Sequence, residues 1–472
     1  MGGQAPAPAD TAVGGRPELR RTTRKESPTM SQGIFASAQD ACDAAAVAQK
    51  DLVAHYTLED RDRFIGAIRE RVMANMELLA QMEFDETGYG RIEDKIAKNS
   101  GAVMLSQGTE ALPKNMYASE KGLTVEYYAP FGVVGAVTPI TNPAATIIGN
   151  GIGNLAAGNA VVFNAHPGAK LTSRKTVELV NEAITGAGGP ENLFTLVQDP
   201  DLATLDVIMA HPAVRLLVGT GGPAMVKTLM TSGKKVIAAG AGNPPSIIDS
   251  SADLAKAAAG VLASASFDNN LLCIAEKEIF VLADIFDAFM AEFEKAGAYI
   301  LTTEQGRSLR DICLVQTPSG EWVANKPWVG QMANKILAAG GIQIDSDPRI
   351  AVYETDFDDP LVHAEQMMPI IPIVRCPTFE QAMQWAYAAE RGCLHSASIW
   401  SKDIDHVTAF GTLINTSIFV QNGGTMAAFG VGGSGTNAPT IATPTGEGVT
   451  GPQSFVRRRR FCMADGGNYL LG

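Results

Sequence analysis

The hydrophobic positions change period along the chain, and the changes divide it. Residues 36–54 and 59–82 carry apolar side chains at three- and four-residue spacing, for example Phe64, Ile65, Ile68, Val72 and Leu78, which predicts two amphipathic helices. From Val133 the pattern turns into short β-branched runs separated by helical stretches. Strands are predicted at 133–137, 160–163, 192–197, 214–218 and 236–239, with helices at 144–157, 169–185, 202–210 and 223–231 between them. Such alternation predicts a parallel sheet covered on both faces. The pattern restarts after Asp249. A helix at 252–266, strands at 278–282, 370–374, 397–400 and 417–420, and helices at 379–390 and 404–411 predict a second α/β unit. Two stretches fit neither unit: 123–128 alternates like an edge strand, and 455–462 reads as a C-terminal strand. Residues 423–451, dense in Gly, Thr and Pro, read as a long ordered loop lining a site.

Length and composition narrow this picture. With 472 residues the chain exceeds one ordinary core, so two or three domains are expected. No uninterrupted apolar run reaches the ~18 residues of a membrane span. A net charge of -13 argues against nucleic-acid affinity. The six cysteines (Cys42, Cys273, Cys313, Cys376, Cys393 and Cys462) form no CxxC pair, and there is no HExxH, so reduced thiols in a cytoplasmic setting and no metal site are expected. Residues 1–34 begin with a Pro-, Gly-, Thr- and Arg-rich stretch lacking an apolar signal core, and are expected to be a disordered tail.

Three segments carry chemistry. Cys273 lies in FDNNLLCIAEKEIFV, in a helix-to-strand loop. Asn142 lies in GVVGAVTPITNPAATI, in the turn after a strand and just before Pro143. The third is VGTGGPAMV, which follows a strand and opens a helix with Pro223 in its first turn. A thiolate captures an aldehyde carbon, and an amide N–H can hold the resulting oxyanion. Glycines before a helix let the backbone approach a phosphate. From spacing alone the alternatives stay open: an inert buried thiol, an Asn-Pro turn and an ordinary glycine-rich turn. The G-x-G-x-x-A at Gly151, Gly153 and Ala156 is a decoy, because it lies within an apolar helical stretch and its glycines serve close packing.

These segments resemble those of the aldehyde dehydrogenase superfamily, and within it the CoA-acylating branch of propionaldehyde and acetaldehyde dehydrogenases. FDNNLLCIAEK is similar to the family's catalytic segment, TPITNP to the acylating branch's Thr-Pro-x-x-Asn-Pro, and GAGNPP to a segment of the same branch. The resemblance covers roughly 35–465. It implies an aldehyde dehydrogenase-like fold with two doubly wound parallel-sheet domains plus a β oligomerisation flap. The cofactor-binding domain would span 35–245, with 115–131 contributing to the flap. The catalytic domain would span 246–440, and a C-terminal loop and oligomerisation strand 441–472.

The same resemblance implies roles. Cys273 would be the nucleophile, in a loop that favours its thiolate, and Asn142 the oxyanion donor, with the Cys273 backbone N–H as second donor. Thr138, Pro139 and Ile140, then Gly219, Thr220, Gly221 and Gly222, would lie against the dinucleotide. Asn164 and His166 stand in VVFNAHPGA, where hydrolytic members place a lysine and then a glutamate on the ribose, so NAD and NADP both remain open. Glu365 matches the glutamate that binds the nicotinamide ribose. Ala239, followed by Gly240, falls where hydrolytic members carry the glutamate that activates water. An alanine takes no proton, so coenzyme A is implied as the acyl acceptor. The competing readings are a hydrolytic aldehyde dehydrogenase with another base, and a non-catalytic shell-associated scaffold. The implied partners are a short aldehyde, CoA, a homodimer or homotetramer, and shell proteins of a bacterial microcompartment. Arg457, Arg458, Arg459 and Arg460 fit salt bridges at an oligomer edge. His363, His395 and Glu447 receive no role.

Overall fold

The computed structural model describes residues 33–464. The expected tail therefore lies outside the described residues except at its end, where Ile34–Phe35 already forms a strand and Ile34 is buried. Two parallel sheets dominate. The first runs in the order Ile34–Phe35, Phe194–Val197, Ala160–Asn164, Val133–Val137, Val214–Thr220, Lys235–Ala239. The second runs Tyr299–Leu301, Ala351–Thr355, Ile370–Cys376, Glu278–Leu282, Pro245–Ile248, Ser396–Trp400, Ile418–Gln421. Every pairing in both is parallel. Central strands such as Ala160–Asn164 and Glu278–Leu282 are buried along their whole length, which is why they read as unbroken apolar runs.

The connections place the site. From Val133–Val137 the chain winds one way, through helix Pro143–Ala157 to Ala160–Asn164. The strand on its other side, Val214–Thr220, is reached only later in the chain. The strand order therefore reverses beside Val133–Val137, and a crevice opens at such a switch point beyond the carboxyl ends of the strands. Asn142 stands there. Helix Pro143–Ala157 is buried at every position, and Gly151 and Gly153 pack on Phe194 and Phe455, which bears out the packing reading of the decoy.

Three expectations change. The helix predicted over 59–82 is two helices, Leu58–Met73 and Met76–Thr87. Asn75 between them leaves helical backbone and its amide donates to the Arg71 carbonyl, a local bond that competes with the helix. The strand at 192–197 starts only at Phe194, because Asn192 adopts a left-handed conformation and its side chain accepts from the Gly33 N–H. The 123–128 segment is no edge strand. It belongs to Gly122–Pro130, which is sandwiched between Asn115–Ser119 and Val456–Ala464 in an antiparallel sheet. Arg460 there pairs with Glu126, and Arg459 lies over the Tyr127 ring. Among the described residues, no helix is long and apolar enough to cross a membrane.

Candidate active site

Asn142 is the N-cap residue of helix Pro143–Ala157, and asparagine in that position ordinarily caps. Here it makes no capping bond, and its side-chain oxygen is buried without a partner. The side chain instead lines a cavity of about 120 Å³ together with Cys273. The remaining lining includes Phe267, Leu272, Met426, Phe429 and Ile441, so an aldehyde would meet mostly hydrocarbon. Much of that wall comes from the 423–451 segment, as its composition predicted.

The cysteine loop is held by its own polar residues. Asp268, Asn269 and Asn270 all have positive φ, a conformation disfavoured for residues other than glycine. The Asn269 amide donates to the Gly90 and Gly330 carbonyls, and that of Asn270 to Ala265 and Glu276. Lys277, fully buried, donates to the Asn270 side-chain oxygen (2.6 Å) and to the carbonyls of Asn270 (2.8 Å) and Leu272 (3.0 Å). Cys273 is thus partly exposed, into the cavity, on an over-determined backbone.

The electrostatics correct one expectation. Burial, helped by the Glu365 charge, pushes the Cys273 thiol up to about 12, although Lys277 and the N–H groups of Cys273 and Ile274 pull the other way. These surroundings favour the thiol over the thiolate. Glu365 accepts from the Gly242 N–H at 3.2 Å, and burial pushes its carboxyl up to about 7 against the pull of Lys277. His395, which received no role from the sequence, is buried near the Cys273 backbone carbonyl. A Cβ at Gly242 would lie 2.6 Å from the Cys273 carbonyl oxygen and 2.9 Å from the His395 ring. Burial, then Lys277, pushes the imidazole down to about 4, so it is neutral, and its Nε2 has no partner.

A second groove, about 530 Å³, is lined by Pro223, Gly240, Ala241, Cys393, Thr443 and Pro444 among others. Gly222 is the N-cap of helix Pro223–Met230, with open space where a Cβ would stand. This fits a phosphate. Thr220 is less free, since its hydroxyl pairs with that of Thr440 at 2.9 Å. Gly219 and Gly221 instead make room for Met225 and Leu229. Ala239 ends its strand buried and offers no acid. The other expected cofactor residues line neither cavity. The Asn164 amide donates to the Asp201 carbonyl and its oxygen accepts from Thr204, so it braces the start of helix Leu202–Ala210. Thr138 is buried, and Ile140 and His166 flank Gly168 beyond Pro139.

Two parallel α/β sheets, with a partly exposed thiol and an uncommitted amide sharing one apolar cavity, form an arrangement that suits chemistry by nucleophilic sulfur. The chain belongs to the aldehyde dehydrogenase family, whose model matches residues 17–443. It is 42% identical over 435 residues to the acetaldehyde dehydrogenase (acetylating) EutE of Escherichia coli, covering 92% of each. It is similar, at 41% identity and TM-score 0.89, to the structure of a propionaldehyde dehydrogenase from the Clostridium phytofermentans fucose utilisation bacterial microcompartment, covering 92% of this chain and 99% of that one. A Rhodopseudomonas palustris propionaldehyde dehydrogenase with bound propionyl-CoA gives TM-score 0.88 at 41% identity, covering 92% of this chain and 95% of that one.

Proposed function

We propose that this protein is a CoA-acylating aldehyde dehydrogenase, catalysing aldehyde + CoA + NAD(P)⁺ ⇌ acyl-CoA + NAD(P)H + H⁺. The observation that carries the reading is the shared cavity of Cys273 and Asn142, with alanine where a water-activating acid would stand. The Cys273 sulfur adds to the carbonyl carbon while the Asn142 amide and the Cys273 N–H hold the oxyanion. Pro223 and Gly240 line the groove that would hold NAD or NADP, which would supply the hydride acceptor. A thioester remains on Cys273; the sulfur of CoA then bonds to its carbonyl carbon and the Cys273 sulfur leaves. The EutE, Clostridium and Rhodopseudomonas relatives support a short aldehyde, CoA and, for the Clostridium protein, a microcompartment location. A homodimer or homotetramer through the antiparallel sheet, and docking to shell proteins, belong to the same proposal.

One observation favours hydrolysis as a second reading. Glu365, with its carboxyl near 7, is coupled to Cys273 and could act as a base toward water. The test is the CoA dependence of steady NADH production from propanal. The acylating reading expects turnover only with CoA. A comparable rate without CoA, abolished in Glu365→Gln, would establish hydrolysis instead.

A further inference from the structure

Helices Met76–Thr87 and Ile92–Leu105 bring a set of charges beneath the site. Glu83, Lys95 and Lys98 come from these helices, and Asp268 comes from the cysteine loop. The exposure of the Lys98 side chain is 5%, and that of Glu83 and Asp268 is 0%. Burying four charges is costly unless every one is paired, so the cluster demands an explanation beyond stability.

Lys98 differs from Lys95 in one respect. Both ammonium groups reach Glu83 and Asp268, but Lys98 also donates to the Thr141 carbonyl at 3.1 Å. That carbonyl belongs to the peptide that carries Asn142. The other bonds of Lys98 are 2.6 Å to Asp268 Oδ2 and 3.0 Å to Glu83 Oε1. An ammonium has three protons, and these three acceptors use them all. Lys98 lines the cavity that holds Cys273 and Asn142, yet has no proton left for a substrate. Burial alone would lower its pKa, but Asp268 and then Glu83 outweigh this and hold it above the ordinary lysine value, so the charge is permanent.

Asp268 is itself fixed. Its Oδ1 accepts from the Arg91 N–H at 2.9 Å, and its own N–H donates to Asp94 at 2.8 Å. Gly90, with φ of 74°, leaves just enough room: a Cβ there would fall 1.8 Å from Asp268 Oδ1. The cysteine loop is therefore anchored through Asp268, and the oxyanion turn through Thr141, to one nitrogen. Resting on the role given above to Cys273 and Asn142, we propose that Lys98 is a positioning residue. It sets the separation of the Asn142 amide and the Cys273 sulfur by gripping the Thr141 carbonyl and the Asp268 carboxylate together.

The test uses the full-length double variant Lys98→Met/Glu83→Gln, which removes one cation and one anion and leaves Lys95 facing Asp268. Three quantities are read: the urea midpoint, the first-turnover NADH burst with propanal, and the rate at which iodoacetamide alkylates Cys273, followed by mass spectrometry of its peptide. Alkylation needs the sulfur and no oxyanion donor. The proposal expects a burst slower by about 10²-fold, the loss typical of misplacing a reacting group by ~1 Å, with alkylation at the parent rate. A burst at the parent rate overturns it. Burst and alkylation falling in the same proportion also overturn it, because they report general loosening of the loop. If the double variant does not fold, Lys98→Arg replaces it. This variant keeps the charge but spreads its donors over a planar fork, so the slowed burst is still expected and an unchanged burst is fatal. Cys273→Ser runs alongside. If it keeps turnover, the reading of the site itself falls. If it is dead while the Lys98 variant is fully active, only the positioning role falls.

Discussion

Asn142→Ala separates two roles that the same residue usually combines. Replacing an asparagine N-cap by alanine ordinarily costs about 0.5–2 kcal/mol of stability, because a first-turn N–H loses its acceptor. Asn142 makes no such bond, so the structure assigns it almost none of that value. The expected change in stability is below about 0.5 kcal/mol, the range of substitutions that break no special contact. Activity should move the other way. Removing one oxyanion donor costs about 10²–10³ in rate, or about 2.7–4 kcal/mol of transition-state stabilisation. Asp253→Ala is the matched control. Asp253 caps helix Leu254–Ala265 by accepting from the Lys256 N–H at 3.2 Å, so its loss should cost about 1 kcal/mol and leave turnover intact. Urea midpoints and first-turnover NADH bursts are measured on both variants. The reasoning fails if Asn142→Ala loses as much stability as Asp253→Ala, or if its burst slows by less than about tenfold against the 10²–10³ expected of a donor.

Other positions give independent readings. Gly242→Ala should fold but slow the burst severely, because its Cβ would press to 2.6 Å on the Cys273 carbonyl oxygen, a backbone atom that cannot swing aside; a parent-like burst in a variant with an unchanged circular-dichroism spectrum would show slack in the loop. Lys277→Met leaves three loop oxygens without their donor and should lower stability by at least about 1–3 kcal/mol, the cost of one orphaned buried acceptor, read from the urea midpoint. Two buried groups give opposite pH slopes. The Glu365 carboxyl is raised from 4.5 to about 7, so its contribution to stability is present below pH 4.5 and is lost as pH rises through 7. His395 is lowered from 6.5 to about 4, so its contribution is present above pH 6.5 and is lost as pH falls through 4. Glu365→Gln should therefore gain stability over the parent at pH 8 relative to pH 5, and a parallel pair of urea-midpoint curves would refute the assigned shift.

What could be read from the sequence was local. The strand at Val133–Val137 and the helices Leu202–Ala210 and Phe379–Glu390 match their predicted limits, because each is a single period bounded by turn residues. Cys273 and Asn142 were visible as motifs, since the residues that place them are their chain neighbours. Strand Pro245–Ile248 was missed although it is central in the second sheet, because its start in GAGNPP imitates a loop. Pro245 is tolerated only as the first residue of the strand. Nothing marked His395, which acquires meaning only when Gly242 lets two distant backbones close on it.

The charges of Ile92–Leu105 show the same limit most sharply. Glu93, Asp94, Lys95 and Lys98 in IEDKIAKNS look like a solvated helix face, and no period distinguishes a lysine that meets water from one that meets a carboxylate 170 residues away. Asp268 makes the difference, and its own left-handed backbone requires the space that Gly90 leaves open. A glycine in one segment, an aspartate in another and a lysine on a third element are each unremarkable alone. Only the fold makes them one device, and this is why a residue that touches no substrate can govern the geometry of those that do.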